Sequence, residues 1–331
     1  TSWPCAVPCR WSGAHAFPRV VPRGAMPDAL KPATEALVGN PLSYRLLSAG
    51  LRPRSLVLAF HNVISEHTEP RGDRSLHLPV DVFCEIVDWL ADAFHVLPLD
   101  RVIEQTDYPG AKPRAAITFD DAYEGAISVA IGELWQRRLP ATVFAISAAE
   151  PGQTFWWDAL ADTFPAGLPA SIREAAVGEA RGGEAQVRAW AADRGLPLAT
   201  MSDEFVAASW ESVRDASRLP GITVASHTRS HPNLTALSAT GLSAELEGSR
   251  VELERVVPGS RPWLAYPYGL SSHSVEVAAR EAGYELAFRV TGGVVRSKDP
   301  PPPRFALPRL NIPAGLSLGG FRLRAMGLLG R

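Results

Sequence analysis

Three things are scarce in this chain of 331 residues. Cysteine is the first: only Cys5, Cys9 and Cys84 are present, two of them in an irregular N-terminal stretch, so no disulfide framework is implied. Cys5 and Cys9 have the look of a metal half-site, but no second Cys/His pair lies near them. Net charge is the second. A formal charge of −2 gives no electrostatic case for binding nucleic acid. The third is a long apolar run, since none approaches the roughly 20 residues that a transmembrane helix needs. The first 25 residues mix Trp, Pro, Cys, Arg and Gly without a continuous apolar core. They do not read as a signal peptide, the orderly sequence begins at Met26, and a cytoplasmic protein is the expectation. There are no internal repeats.

What is present is ordinary for a globular protein: 46% apolar and 21% charged residues. The length allows one large α/β domain with insertions or two ordinary domains. Short apolar runs read as strands at 55–60, 95–98, 115–119, 141–147, 223–226, 263–266, 286–290 and 307–312. Helical periodicity falls between them. In the first such helix Asp81 is placed as the N-cap, and Phe83, Ile86, Val87, Leu90 and Ala91 repeat at helical spacing. Further helices are expected at 126–137, 210–216, 243–257 and 274–282. Strand–helix–strand alternation is the signature of a parallel α/β sheet or barrel.

The rhythm breaks at 152–214, which is rich in Ala, Glu and Arg and carries no convincing strand. It reads as a helical insertion, either a cover over a site or an ornament packed on the side. The expected division is an N-terminal extension at 1–50, partly disordered with short helices, a main domain at 51–315 containing the insertion, and a tail at 316–331. The stretch 321–331 carries three arginines and no acid. It suits either contact with an anionic membrane surface or a solvated terminal helix.

Two strands end in chemistry. The run Ala115-Ala116-Ile117-Thr118-Phe119 stops at Asp120 and Asp121. In α/β folds the C-terminal ends of parallel strands are where ligands sit. The second strand, 222–226, runs into His227 and His231. A spacing of four lets one turn or tight loop aim both imidazoles at one point, and Pro232 favours the loop. No Glu follows His227, so the zincin pattern does not apply. Two imidazoles leave a metal short of ligands, and a carboxylate is the usual third. One aspartate can bind a metal while its neighbour stays free as a base. The plain alternative for the Asp pair is a helix N-cap with a first-turn acid.

Taken in order, Thr118-Phe119-Asp120-Asp121 and His227-Thr228-Arg229-Ser230-His231-Pro232 resemble the polysaccharide deacetylase (NodB-homology) family of carbohydrate esterases. Phe60-His61-Asn62-Val63, Ala265-Tyr266-Pro267-Tyr268-Gly269 and Leu307-Pro308-Arg309-Leu310-Asn311-Ile312 add to the likeness. The resemblance implies a distorted (β/α)7-type barrel with its site at the strand C-terminal ends. It implies Asp120 as general base, and Asp121, His227 and His231 as ligands of a divalent ion, most commonly Zn2+. It also implies the backbone N–H of Tyr268 as oxyanion donor, Pro267 beside the substrate, and an N-acetylated glycan as partner. Three features depart from the family, one of them the Asp-x-x-Asp-Trp region, which is not visible around Phe288 to Gly293. The arginine that usually orients the base, two residues before the Pro of the Pro-Tyr-Gly turn, is Ala265 here. Arg309 is the candidate to replace it, or else a structural ion pair. The family's late histidine has no counterpart, since no histidine follows His273. His61 is the first candidate acid, with a buried structural imidazole as its plain alternative, and His273, at a loop or helix start, is the weaker one. Phe155, Trp156 and Trp157 suit either a sugar-stacking platform or the core of the insertion. The expected activity is metal-dependent removal of N-acetyl groups from a polysaccharide, oligosaccharide or glycolipid precursor, at the membrane face where such precursors are made. The alternatives are a deformylase or other small-amide hydrolase on the same barrel, and a carbohydrate-binding barrel with weakened catalysis.

Overall fold

The computed structural model describes residues 55–104, 112–295 and 303–326. The expected extension at 1–50, the start at Met26, Cys5 and Cys9, and the end of the C-terminal tail lie outside the described residues. In chain order the elements are β1 (Ser55–Phe60), β2 (Asn62–Ile64), β3 (His77–Pro79), α1 (Val80–Ala93), β4 (His95–Val96), α2 (Leu99–Ile103) and β5 (Arg114–Phe119). A π-helical turn (Ala126–Ala130) leads into α3 (Ile131–Gln136), followed by β6 (Ala141–Ala145). Three helices come next without an intervening strand: α4 (Trp156–Ala161), α5 (Ala170–Gly178) and α6 (Glu184–Asp193). The alternation resumes with α7 (Trp210–Ser217), β7 (Ile222–Ser226), α8 (Ala239–Val256), β8 (Arg261–Ala265), α9 (His273–Glu281), β9 (Leu286–Val290), β10 (Val294–Val295), β11 (Leu307–Asn311) and α10 (Leu318–Ala325).

Seven parallel strands, β1, β5, β6, β7, β8, β9 and β11, form a closed barrel. Closure is made by β1, which pairs in parallel with β5 (Leu56 opposite Ala115 through Phe60 opposite Phe119) and with β11 (Leu58 opposite Leu310). The strand pattern explains the two-sided burial. Along β1, Leu56, Leu58 and Phe60 pack outward on Phe83, Ile86 and Leu90 of α1, while Val57 points inward to Ala116, Phe144, Ala225 and Phe288. Phe144 and Phe288 meet at 5.6 Å inside the barrel and fill it. Burying each ring contributes roughly 1.5–3 kcal/mol.

The helix at 80–93 corrects one expectation. Asp81 is not the N-cap: Pro79 occupies that place, and Asp81 Oδ1 accepts from the N–H of Val82. Proline's fixed φ suits the residue leading into a helix. The small parallel pair β2–β3 and the antiparallel strand β10 on the edge of β1 had no signal in the sequence. Both are too short for periodicity to register. No helix among the described residues is long and apolar enough to cross a membrane.

Candidate active site at the strand ends

The barrel delivers its polar residues to one mouth. Asp120 and Asp121 follow β5, His227 and His231 follow β7, Tyr268 follows β8 and His61 follows β1. Together they line a cavity of about 350 Å³. The turns that carry them are tightly wound. Asp121, Ala122, Thr228, His231 and Tyr268 all have positive φ, between 57° and 69°. Such conformations cost non-glycine residues of order 1–3 kcal/mol each and persist where surrounding bonds impose them. The histidine loop shows those bonds. Ser147 and Ala148 donate their N–H groups to the carbonyls of Thr228 and Arg229, at 3.1 and 2.9 Å. His231 N–H donates to Thr228 Oγ1 at 3.1 Å. The Glu245 carboxylate accepts from the N–H groups of Arg229 and Ser230 and from Ser230 Oγ.

Asp121 and the two histidines converge. Asp121 Oδ1 lies 3.5 Å from His227 Nε2 and 3.6 Å from His231 Nε2. One ligand atom from each residue lies within 4.8 Å of the others. Each imidazole is oriented through its other nitrogen. His227 Nδ1–H donates to the Ala265 carbonyl at 2.8 Å, and His231 Nδ1–H donates to the Tyr268 hydroxyl oxygen at 3.2 Å. That hydroxyl in turn donates to Gly182 O at 2.7 Å. Both Nε2 lone pairs are thereby directed at one point, the arrangement that metal-binding histidines require. Asp121 Oδ1 is buried with no hydrogen-bond partner. Burial, then the charges of Asp120 and Asp158, push the Asp121 carboxyl well above its ordinary range. A carboxylate in that position is stabilised by a cation among these three residues. Burial also holds His227 down to about 4, and burial with its neighbour His227 holds His231 well below 6.5. The imidazoles are therefore neutral at pH 7, which is the ligating form. The donor set fits a divalent ion with nitrogen and oxygen ligands.

Asp120 is treated oppositely. Arg309, fully buried on β11, grips it with both ends of its guanidinium: Nη1 to Oδ1 at 2.6 Å and Nη2 to Oδ2 at 2.8 Å. Nη1 also donates to Thr118 Oγ1, and the guanidinium lies over the Phe144 ring. Burial alone would raise the Asp120 pKa, but the charges of Arg309 and then His227 outweigh it and hold the carboxyl well below the usual range. Arg309 thus stands against the acid that Ala265 cannot reach. It acts from behind, for it does not itself line the cavity.

The remaining expected residues fall in different places. His61 is half-buried and lines the cavity; burial lowers its pKa, against the opposing charge of Asp120. His273 opens α9 and does not line it. Pro267 is buried at the start of the turn, and the cavity is lined by Tyr266, Tyr268 and Gly269 around it. Its ring fixes φ at the first position of the turn. Trp156 and Trp157 line the cavity yet are 0% and 4% exposed. Trp157 stacks on Phe155 at 4.8 Å with 9° between the planes, and Trp156 Nε1 donates to Gly182 O at 2.9 Å.

Behind the site lies a polar network that the sequence did not announce. The buried Asp158 carboxylate accepts from the N–H of Asp73 at 2.8 Å, His77 Nε2 at 2.9 Å and the Tyr123 hydroxyl at 2.6 Å. Tyr123 accepts in turn from Trp157 Nε1 at 2.5 Å. Gly72 is required here, because its φ is +63° and a Cβ would lie 2.5 Å from Asp158 Oδ1. The network fastens α4 to the connection between β2 and β3. Asp162 adds a second tie through Arg71, at 2.6 Å.

A closed parallel barrel with a convergent Asp/His cluster at its C-terminal mouth defines a hydrolase of the deacetylase-barrel type. The sequence model of the polysaccharide deacetylases matches residues 107–287, more than half of the chain. The chain belongs to the polysaccharide deacetylase family, and with it to the hydrolases of carbon–nitrogen amide bonds. Solved structures share the fold. IcaB from Ammonifex degensii aligns with a TM-score of 0.58 and 16% identity, over 84% of this chain and 98% of its own. The Streptococcus pyogenes deacetylase PplD, solved with acetate, aligns with a TM-score of 0.56 and 15% identity, over 84% and 99%. A polysaccharide deacetylase from Bacillus cereus gives 0.57 and 16%, over 82% and 68%. At these identities the likeness is one of fold. No curated protein sequence matches the chain.

Proposed function

We infer that the protein hydrolyses N-acetyl groups on an amino-sugar glycan and depends on a divalent metal, Zn2+ by the nature of its donors. The observation that carries this is the contrast between the two adjacent carboxylates: Asp121 faces two oriented imidazoles, and Asp120 is clamped by Arg309. Asp121, His227 and His231 would hold the ion. When bound it would polarise the acyl carbonyl and lower the pKa of a water.

The chain's own residues supply the rest. Asp120, held ionised by Arg309, accepts a proton as the water oxygen bonds to the acyl carbon. The backbone N–H of Tyr268 is assigned to the developing oxyanion. Tyr268 is held in its left-handed turn with its hydroxyl tied to Gly182, so the donor is preorganised. The carbon–nitrogen bond then breaks, the nitrogen takes up a proton, and acetate and a free amine result. A carboxyl held at low pKa surrenders its proton readily, which suits Asp120 for returning it. His61, in the same cavity, is the second donor. The segment 152–214 belongs to this site, as its Trp156, Trp157 and Arg173 line the cavity.

The test is metal analysis combined with acetate release from N-acetylated oligosaccharides. Asp121→Ala and His227→Ala variants that keep both the metal and the activity would refute the assignment. Release of formate from N-formylated substrates, with no acetate from the N-acetylated ones, would point to a deformylase. Sugar binding without turnover in added Zn2+ or Co2+ would point to a binding barrel.

A further inference from the structure

One pair of charges in the cavity has no part in the chemistry above. Arg173, on α5, forms an ion pair with Asp73, in the connection between β2 and β3. Both line the cavity, so the pair joins its helical wall to its barrel wall. Asp73 is only 8% exposed, and its Oδ1 also accepts from Ser75 Oγ at 2.7 Å and from the Ser75 N–H at 3.2 Å. The Arg173 side chain is 42% exposed, and only its Nη2 bonds to Asp73. A guanidinium has five N–H donors in a fixed fork, so most of them remain for a ligand. On β11, Asn311 Oδ1 adds a buried acceptor without a partner, and Asn311 also lines the cavity.

We propose that Arg173 and Asp73 form a subsite for the neutral vicinal hydroxyls of the amino sugar whose acetamide lies at Asp120 and Asp121. A lone arginine would select an anion. A nearly buried carboxylate beside it cancels that preference and supplies acceptors next to donors. A diol, which both donates and accepts, is the ligand chemistry that matches such a couple, and an anionic substituent would meet Asp73. Trp156 and Trp157 line the same cavity and give it an apolar side for a pyranose ring. Arg173 is thus a specificity residue, carried by a helix outside the barrel's strand–helix alternation. The proposal rests on the amino-sugar reading of the site.

The experiment compares the full chain with Arg173→Gln. The probes are a β-1,6-linked N-acetylglucosamine tetramer, in which every unit keeps its adjacent 3- and 4-hydroxyls, and p-nitrophenyl acetate, which has no sugar hydroxyls. For the tetramer, KM rises about tenfold with kcat within about twofold, the pattern of lost uniform binding. Hydrolysis of p-nitrophenyl acetate is unchanged. Calorimetry on metal-free protein shows the same weakening of tetramer binding, independent of turnover. An unchanged KM and Kd for the tetramer overturns the proposal, as does an equal loss on both substrates, which marks a purely structural pair. An effect confined to a uronate-bearing oligosaccharide overturns it in favour of an anion site. A wild-type protein that binds no tetramer overturns it as well. If the wild type binds the tetramer but releases no acetate with any divalent metal, the hydrolase reading falls. In that case weaker binding by Arg173→Gln still upholds the subsite.

Discussion

The cavity has two walls, and they are built by different means. The barrel wall is fixed by backbone: strand ends, left-handed turns and carbonyls that hold Asp120, Asp121, His227 and His231. The helical wall, α4 to α6, is fixed mainly by side chains, with backbone bonds where it meets the histidine loop, from the Asn233 N–H to Arg181 O at 2.7 Å and from the Glu184 N–H to Ser230 O at 3.4 Å. Its links to the barrel include Asp158 and Asp162 reaching across to residues 71–77 and the aromatic stack around Trp157. The first wall carries residues whose geometry must be kept within tenths of an ångström. The second carries residues that shape what enters. Backbone fixing gives precision, whereas side-chain fixing leaves more of the wall changeable, except where Gly182 O holds the Tyr268 hydroxyl that orients His231.

Removing the barrel wall's ligand is expected to have the largest effect. Asp121→Ala should lose the bound metal and reduce acetate release to background, read by metal analysis and a product assay. Next is Asp120→Asn, which should lower kcat by about 10²–10⁴ while metal content stays at the wild-type level. Loss of metal in Asp120→Asn would contradict the separation of the two carboxylates. On the helical wall, Asp158→Ala strands three buried donors, and urea unfolding should show a loss of about 3–5 kcal/mol. A variant as stable as the wild type would show that the tie is not what holds α4.

The smallest effect is on pH. His227 ionises at about 4 in the fold and near 6.5 in the unfolded chain. Between those values the unfolded chain binds more protons, so stability rises with pH through the window and is lost on acidification through it. For metal-free protein the change is on the order of 3 kcal/mol at most. Bound metal acts in the same direction, because it too requires the neutral imidazole. The raised Asp121 carboxyl works the other way, so the measurement is made on metal-free Asp121→Asn, where urea midpoints that stay flat from pH 7 to 4 would sink this account of the barrel wall.

Most of the barrel wall was legible in the sequence. Short apolar runs fall at every barrel strand, and the acids and histidines sit where those runs stop, because period-2 burial and abrupt polarity are local signals. The reach of Arg309 across 189 residues to Asp120 has no local signal. It was suggested only by the alanine at 265. The Tyr268 hydroxyl on His231, the carbonyl of Ala265 on His227 and the positive φ values were also hidden, since they depend on which loops meet. The helical wall was the least legible. Its helices could be recognised, but Asp158, Tyr123 and Arg173 show their roles only through partners far along the chain.

The pairing of Arg309 with Asp120 also orders events in time. Asp120 emerges early in synthesis, at the end of the second barrel strand, and its counter-ion arrives on the seventh and last. Until β11 docks beside β1, the acid has no guanidinium to fix its charge. The same docking closes the barrel. On the proposed role of Asp120, a nascent or truncated chain would have a silent site however well its earlier strands had folded, and catalytic competence would report that the last strand is home.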